Sequence, residues 1–190
     1  THAARDVAYK VTKLRRTEER AERAAASEPK IRRDSMRGIV PYLQVDSTSE
    51  AIAWYERVFG AKEVRKRLVA PDGRCMNAEI EIEGTRLMLA DEMPGVGSMS
   101  PLTLKGTSVV LDLHVADVDH VHRIALDAGA EEVYPLADHF YGDRAGRVRD
   151  PFGHHWIIAT RLRDVPEDEM VAAFQAMFGG GSGGQRAKRA

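Results

Sequence analysis

Apolar and polar residues follow one pattern that occurs twice along the chain. The first copy begins with an alternating run at residues 39–45, continues with an apolar helical stripe, and ends that helix at Gly60. The second copy, at residues 115–133, has the same order in outline, and both copies continue into a segment that ends in Glu-Val. A repeat of about 69 residues is too long for a solenoid and too short for two ordinary domains, so it predicts a duplicated half-domain. Two such halves must share one core, and we expect a ligand site between them.

The elements predicted for each half are a strand, a helix and three further strands. In the first half these are strands at 39–45, 63–70, 75–82 and 85–90, with a helix after residue 45 that Asp46, Ser47 or Ser49 caps. In the second half they are strands at 108–115, 132–135, 145–149 and 155–160, with a helix from Asp117 to Asp127. The predicted fold class is therefore α+β, with two βαβββ modules that form a cupped mixed sheet and helices on its outer face.

Composition indicates one soluble domain with tails, since the chain has 190 residues and 43% hydrophobic content. No apolar run approaches the roughly 20 residues of a membrane span. Residues 1–6 lack the apolar core of a signal peptide, so we expect no membrane contact and a cytoplasmic location. Cys75 is the only cysteine, which excludes a disulfide within the chain and a cysteine-based zinc cluster.

The net charge of -1 hides an uneven distribution. Residues 1–37 carry 11 Lys/Arg against 6 Asp/Glu, residues 38–178 carry 14 against 23, and residues 179–190 carry 3 against none. The acidic body argues against nucleic-acid binding by the folded part. We interpret residues 1–37 as a charged helical extension and linker, 163–178 as a C-terminal helix, and 179–190 as a Gly-rich flexible basic tail.

One stretch near the end of the body carries a specific motif. Residues 140–160 read FYGDRAGRVRDPFGHHWIIAT, and residues 76–79 (MNAE) and 88–91 (MLAD) accompany it. The chain thereby resembles the PhnB-like branch of the vicinal oxygen chelate superfamily, which includes glyoxalase I, the bleomycin and fosfomycin resistance proteins and the extradiol dioxygenases. The resemblance covers residues 38–162, as modules 38–91 and 107–162, and it implies the fold more firmly than the activity.

The resemblance also locates where a metal would bind in the metal-using relatives. Those ligand positions fall on Val40 and Val110 in the first strands and on Ile157 in the last, and Asn77 replaces a histidine that some relatives carry. Hydrocarbon side chains cannot coordinate a cation, and an amide is a poor substitute for imidazole. We therefore predict no metal and no cofactor at the inherited site.

The remaining candidate residues form a ligand-binding set on the cup side of the predicted sheet. Apolar and aromatic walls with a few polar groups suit a small organic molecule. The set consists of Tyr42, Gln44, Asn77, Glu79, Met88, Asp112, His114, Phe140, Tyr141 and His155. Acidic groups in an enclosed cup favour a cationic ligand, whereas Glu79 and Glu81 would have no such effect if they reached solvent at the rim.

Other conspicuous side chains are interpreted as structural. Phe152 and Trp156 are expected to anchor the core, and Asp143 and Arg144 to pair with nearby charges that hold their loop. The three histidines His120, His122 and His139 are expected at the surface or in loops.

Two functional hypotheses from different classes follow. The first is a metal-independent binding protein of the antibiotic-resistance or ligand-sequestering kind that acts as a homodimer. The alternative is a divalent-metal-dependent glyoxalase-like lyase, isomerase or dioxygenase with relocated ligands, drawn from Asp112, His114, His155, Glu79 and Glu81, in which Glu79 or Glu81 is the base. A third interpretation assigns the function to the basic N-terminal helix as a docking arm.

Overall fold

The computed structural model of the chain describes residues 38–179. The predicted helical extension and linker at 1–37, with its hypothetical docking role, lies outside the described residues, as does the basic tail from residue 180 onward. Among the described helices, none combines the length and the apolar content that crossing a membrane requires.

The first module contains five strands and one long helix. Strand β1 (Tyr42–Val45) leads into helix α1 (Thr48–Phe59), which is followed by β2 (Lys62–Glu63), β3 (Leu68–Val69), β4 (Cys75–Ile82) and β5 (Thr85–Asp91). A 3-10 turn (Pro94–Val96) and the short helix α2 (Pro101–Leu104) then connect the two modules. Strands β4 and β5 lie where the alternation predicts them.

The single strand predicted at residues 63–70 is wrong, because that segment forms two short strands. Glu63 pairs with Ile80 and Leu68 pairs with Asn77. Four residues, 64–67, thus lie opposite only two, 78 and 79, so part of this segment must leave the ladder. Arg67, one of the four, binds the Glu63 carboxylate with two hydrogen bonds of 2.8 Å each.

The second module repeats the order of the first. It consists of β6 (Val110–His114), α3 (Val118–Asp127), β7 (Glu131–Asp138), β8 (Asp143–Arg149) and β9 (His155–Arg161), and helix α4 (Glu167–Gly179) follows. The predicted α+β class with two βαβββ modules is confirmed. Strand β7 extends three residues beyond the predicted 132–135, and α4 begins at Glu167 rather than at residue 163.

The two modules share one sheet topology. The first sheet has the order β1-β5-β4-β2, with β3 also paired to β4, and the second has the order β6-β9-β8-β7. In each sheet the first strand runs parallel to the last one, β1 beside β5 and β6 beside β9, while the other pairings are antiparallel. The duplication seen in the sequence is therefore a duplication of topology.

Each long helix is fixed at its start by a side chain of its own and by the end of its sheet. Ser47 caps α1 and Asp117 caps α3, by accepting hydrogen bonds from the backbone N–H groups of the third residue on. The carboxylate of Asp91 accepts a further bond from Thr48 N at 2.7 Å, and the hydroxyl of Thr160 accepts one from Val118 N at 2.9 Å. In both modules, a side chain of the last strand thus accepts a hydrogen bond from an N–H group in the first turn of the helix, which has no partner within the helix.

The core joins the two modules through an aromatic cluster. Tyr55 and Phe59 of α1 contact Trp156 of β9, with ring centroids 5.6 and 4.8 Å apart, and Phe152 lies 6.0 Å from Tyr55. Phe152 and Trp156 are both buried, which confirms their predicted role as core anchors. Large rings at this junction bury much apolar area and fix the packing of α1 on the second sheet.

A buried carboxylate, Asp150, lies at the centre of this cluster and accepts four hydrogen bonds. Its Oδ1 accepts from the backbone N–H groups of Phe152 and His154 at 3.0 and 2.8 Å. Its Oδ2 accepts from the Tyr55 hydroxyl at 2.7 Å and from Trp156 Nε1 at 2.9 Å. Burial, reinforced by the charge of Asp150, holds the pKa of Tyr55 well above its ordinary value. One side chain therefore shapes the β8–β9 turn and ties it to α1.

The charged loop residues are paired as predicted. Asp143 binds Arg161 at 2.6 Å, and Arg144 binds both Asp119 and Asp138 at 2.8 to 2.9 Å. The Arg144 guanidinium lowers the pKa of the Asp119 carboxyl by direct hydrogen bonding. These contacts connect β8 to α3 and to the end of β7, which is a structural role.

The expectation of a surface His122 is wrong, because its side chain is buried, with 4% of the residue exposed. The opposing residue is Gly146, where a Cβ atom would come within 3.1 Å of His122 Nε2. Nε2 has no hydrogen-bond partner among the described residues, and the Glu132 carboxylate is 3.8 Å away. Burial lowers the pKa of His122, against a smaller opposing effect of Glu132 and Asp119.

Replacing Asp150 by asparagine should destabilise the fold strongly. An amide group cannot accept hydrogen bonds at all four positions, so a buried donor on Tyr55 or Trp156 loses its acceptor, at a cost of about 1–3 kcal/mol or more. Urea unfolding should show a lower midpoint for Asp150→Asn. In Tyr55→Phe, by contrast, one hydrogen bond is lost with no unpaired donor, and the loss should be about 1 kcal/mol. Equal midpoints for wild type and Asp150→Asn would contradict the role assigned to this carboxylate.

Stability should fall as the pH drops below about 6.5, the ordinary pKa of histidine. Because the pKa of His122 is lower in the folded state, the unfolded chain binds a proton over a pH range in which the folded chain does not. The stability is therefore full above pH 6.5 and is lost as the pH falls from 6.5 through the lower pKa of the folded state. Urea unfolding at a series of pH values from 7.5 to 5 measures this loss, which amounts to about 1.4 kcal/mol for each unit of pKa difference. The profile of His122→Gln should be flatter, and an unchanged profile would contradict the assignment.

Candidate functional site

Four of the candidate residues lie together on the face of the first sheet that points away from α1, which we call the first cup face. Tyr42 pairs with Met88, and Met88 pairs with Glu79, across β1, β5 and β4. Asn77 Nδ2 donates a hydrogen bond to the Tyr42 hydroxyl at 3.3 Å and contacts Met88 Sδ at 3.7 Å. The alternate residues of these strands, including Leu43 and Ile80, belong to the core, which explains why this set faces the other way.

Glu79 is a fully enclosed member of the first cup face, with 1% of its side chain exposed. It forms an ion pair with Arg65 and lies 3.5 Å from Arg86. Two guanidinium groups thus more than offset the charge of one carboxylate, and Arg65 also donates to Asn77 at 3.2 Å. The argument for a cationic ligand assumed an unpaired acid in the cup, and Glu79 does not meet that assumption. Glu81, the next residue on this face, is exposed.

The second sheet has a matching face that points away from α3, the second cup face. Asp112 of β6 pairs with Ile157 of β9, Ile157 pairs with Arg147 of β8, and Arg147 pairs with Tyr134 of β7. These residues form one row across all four strands. His155 lies in the neighbouring row, between Val110 and Arg149.

The imidazoles of this face differ in environment. His114 Nε2 is 3.6 Å from Asp112 Oδ1, and both side chains are more than half exposed. His155 is half-buried, and its Nδ1 has no hydrogen-bond partner among the described residues. Burial, followed by the charges of Arg147 and Arg149, lowers the pKa of His155. His155 is therefore held mainly neutral beside two cations.

The loop between β7 and β8 places Phe140 and Tyr141 at the edge of the second cup face. Tyr141 stacks on His139 with ring centroids 4.9 Å apart, and Phe140 lies edge-on to Tyr141 at 5.3 Å and 6.2 Å from Phe174 of α4. Burial raises the pKa of Tyr141, and the charges of Asp143 and Asp112 add to this effect. Its hydroxyl thus remains a neutral hydrogen-bond donor near Asp112.

A cavity of about 170 Å³ opens on the second cup face. Its lining is mostly aromatic and apolar, with a single cationic side chain: Tyr134, Pro135, His139, Tyr141, Ala145, Gly146, Arg147 and Ile157. Of these, only Tyr141 was among the predicted site residues. The alternation of β8 contained a signal for Arg147, since it separates the core residues Gly146 and Val148 from one another and must face the opposite way. Tyr134 lies within the strand predicted at 132–135, but the register of β7 is irregular on both sides of it, so simple alternation does not assign its face.

A second recess, a groove of about 300 Å³, lies between the two modules. Residues of both modules line it, namely Pro41, Ile82, Glu83, Thr85, Leu87, Leu111, Asp112, Leu113, His114 and Trp156. Asp112 belongs to this groove and also pairs with Ile157, which lines the cavity. The groove lies between the two halves, where the sequence analysis expects a ligand.

The ten predicted residues thus fall into two groups on two sheets. Tyr42, Asn77, Glu79 and Met88 are in mutual contact on the first cup face, while Asp112, His114, Tyr141 and His155 lie on the second. Among residues 38–179, no hydrogen bond, ion pair or ring contact joins a member of one group to a member of the other. Gln44 lies on the first cup face with a buried side-chain oxygen that has no partner in this part of the chain.

The residues at the inherited metal positions do not fit a metal ion. Val110 and Ile157 lie on the second cup face in neighbouring rows, and Val40 precedes β1. None of the three has a donor atom in its side chain. Within the described part of the chain, His, Cys, Asp and Glu side chains nowhere form a group of three or more that could hold a metal ion.

Comparison with known proteins extends this description. A protein-family model described as the Glyoxalase/Bleomycin resistance protein/Dioxygenase superfamily matches residues 38–158. An uncharacterized protein of Mycobacterium bovis, Mb0911c, is 43% identical over 143 residues, which cover 74% of this chain and 93% of that protein.

Solved structures show the same fold. TioX from Micromonospora sp. ML1 is 25% identical with a TM-score of 0.51, and the match covers 68% of this chain and 99% of TioX. The PhnB protein from Bacillus cereus is 17% identical with a TM-score of 0.51, covering 65% of this chain and 99% of that protein, a likeness of fold alone. The resemblance drawn from residues 140–160 is confirmed, and the chain belongs to the glyoxalase/bleomycin resistance protein/dioxygenase superfamily.

Proposed function

We propose that this protein binds a small organic molecule on the second cup face and in the adjoining groove, and acts by affinity alone. The observation that carries the proposal is the cavity beside Tyr141, where aromatic and apolar walls surround a few polar groups. Such a lining is typical of small-molecule sites. The groove between the modules has a volume of about 300 Å³, and Asp112, which lines it, pairs with Ile157 of the cavity.

The state of Glu79 favours binding over catalysis. An enzyme of this fold that takes a proton needs a base within hydrogen-bond reach of its substrate. Glu79 is enclosed between Arg65 and Arg86, so its charge is already compensated within the protein. Glu81 is exposed to solvent rather than enclosed in a site.

We further propose that two copies of the chain associate through their cup faces. Tyr42 on the first cup face is 44% exposed, and Val110 and Tyr134 on the second are 38% and 61% exposed. A second copy would cover these apolar groups and enclose a ligand more completely than one chain does. Closed twofold pairs are the commonest assembly of soluble proteins.

The alternative is a metal-dependent enzyme with relocated ligands, and Asp112 with His114 is the observation in its favour. The two side chains lie 3.6 Å apart, and both point into the groove between the modules. A carboxylate and an imidazole are ordinary ligands of a divalent transition metal. In that case the pair would hold the metal together with groups of the substrate or solvent.

A thermal-shift screen against a broad panel of small organic molecules should identify ligands that raise the unfolding temperature. A ligand at 100-fold excess over its Kd adds about 2.7 kcal/mol of stability. The shift should be lost in Tyr141→Ala, which removes a wall of the cavity, and kept in Val96→Ala, an exposed residue outside both sheets. If no molecule of the panel raised the unfolding temperature, the proposal would be contradicted.

The same screen separates the two hypotheses when it is repeated with a chelator. Binding by affinity alone should be unaffected, and elemental analysis should find no stoichiometric metal. Zinc, nickel, manganese or iron at one equivalent, lost in an Asp112→Ala, His114→Ala double variant, would instead support the metal-dependent alternative.

Sedimentation of the purified chain should show a dimer that an introduced charge on the cup face disrupts. In Val110→Glu, a carboxylate would be buried at the interface without a partner, so the variant should sediment as a monomer at concentrations where the wild type is dimeric. Val96→Glu is the matched control and should remain dimeric. A monomeric wild type would refute the assembly but leave the cavity beside Tyr141 in place.

A further inference from the structure

Arg147 differs from the other arginines of the second cup face because no carboxylate neutralises it. On the same face Arg149 is paired with Glu131, and Arg161 with Asp143. Within residues 38–179 Arg147 has no ion pair, and its Nε atom is buried without a hydrogen-bond partner. A half-buried cation in this state has lost hydration without gaining a counter-charge.

The surroundings of Arg147 hold it in place but do not compensate its charge. The centre of its guanidinium group lies 5.9 Å above the centroid of the Tyr134 ring, a cation–π contact. Its strand neighbour on the other side is Ile157, a hydrocarbon. The nearby imidazole of His155, whose pKa is lowered by burial and then by Arg147, is neutral or cationic and cannot neutralise the guanidinium. Arg147 lines the cavity, and none of the other residues that line it is acidic.

The acids of this face are engaged elsewhere, Glu131 with Arg149 among them. Asp112 is more than half exposed and lies beside His114, and Asp143 is bound by Arg161. Neither comes within the 4 Å of Arg147 that defines an ion pair. On the first cup face, by contrast, Glu79 is matched by two arginines. The first cup face thus holds its arginines beside a carboxylate, whereas Arg147 on the second has no carboxylate of residues 38–179 within ion-pair distance.

The cavity sets a limit on the size and shape of its ligand. Its volume is about 170 Å³, close to the roughly 150 Å³ that accommodates a single benzene ring in an engineered protein cavity. Tyr134 and Tyr141 supply aromatic walls, and the stacked pair of Tyr141 and His139 closes one side. Aromatic walls favour a flat, unsaturated ring through stacked or edge-on contacts.

We infer that the cavity on the second cup face binds a planar carboxylate that carries one aromatic ring. The carboxylate would accept two hydrogen bonds from the Arg147 guanidinium, whose planar fork matches that geometry. The ring would lie against Tyr134 and Tyr141. This inference rests on the proposed function and assigns its ligand class, an anion in place of the cation expected from acidic groups in the cup.

Three ring compounds of nearly equal shape test the charge preference in the 190-residue chain. Benzoate is the anionic probe, benzamide is neutral, and benzamidine is cationic at neutral pH. Two-dimensional amide NMR titrations should give an affinity for benzoate at least tenfold higher than for either analogue. The shifted resonances should include those of residues 134, 141 and 147.

Variants of two arginines on one strand test the assigned contact. Arg147→Gln should weaken benzoate binding at least tenfold, and Arg147→Lys should keep part of the affinity because it retains the charge but not the fork. Arg144 lies on the opposite side of β8 and is paired with two aspartates, so Arg144→Gln should bind benzoate as the wild type does. The thermal unfolding midpoint of each variant verifies that it is folded.

The outcomes separate this inference from the proposed function. Equal binding of the three probes, or unchanged benzoate affinity in Arg147→Gln, would overturn the anionic assignment while leaving a binding protein. If none of the three probes shifts the amide resonances of the second cup face but another molecule from the thermal-shift screen shifts them, the assigned ligand class is wrong and the proposed function stands. If nothing from either experiment binds, both are refuted.

Discussion

The architecture depends on one buried carboxylate that is shared between the two modules. Asp150 accepts hydrogen bonds from a helix of the first module, from a strand of the second, and from the turn in which it lies. Four donors around one ion compensate the loss of its hydration, which a buried carboxylate otherwise could not sustain. The turn that it shapes also presents His154, whose Nε2 contacts the backbone oxygen of Gln44 in β1 at 3.1 Å. The positions of both cup faces follow from this junction, since α1, β1 and β9 all meet there.

Duplication gave the two sheets one topology, but their cup faces differ in chemistry. Where the first module places Tyr42 beside Met88, the second places Asp112 beside Ile157, in the same relation between first and last strand. The first cup face contains a closed network of Glu79, two arginines and Asn77. The second contains a cavity and, in Arg147, a cation with no ion-pair partner in the described part of the chain. The proposed ligand binding needs a cavity on only one of the two faces, so the network of the first cup face can have a purely structural role.

The sequence predicted those features that depend on local periodicity. Strand β4, helix α3 and the core role of Trp156 follow from alternation, capping and ring size, and each is found close to its expected place. Features that depend on register between distant segments were missed. The burial of Glu79 requires Arg65 and Arg86, which only the sheet brings to it. The burial of His122 requires the space left by Gly146, 24 residues further on. The split of the strand after Glu63 likewise becomes visible only when it is aligned with β4.

The hydrogen bond between Tyr55 and Asp150 spans 95 residues of chain. During synthesis on the ribosome, α1 therefore emerges long before the acceptor of its tyrosine hydroxyl and the indole that packs against its rings. The chain must lose the entropy of closing this long loop before the contact can form, which slows folding. Until then the aromatic side chains of α1 stay exposed to solvent. The first half of the domain is thus the part of the nascent chain that exposes apolar surface for longest and on which a chaperone would act.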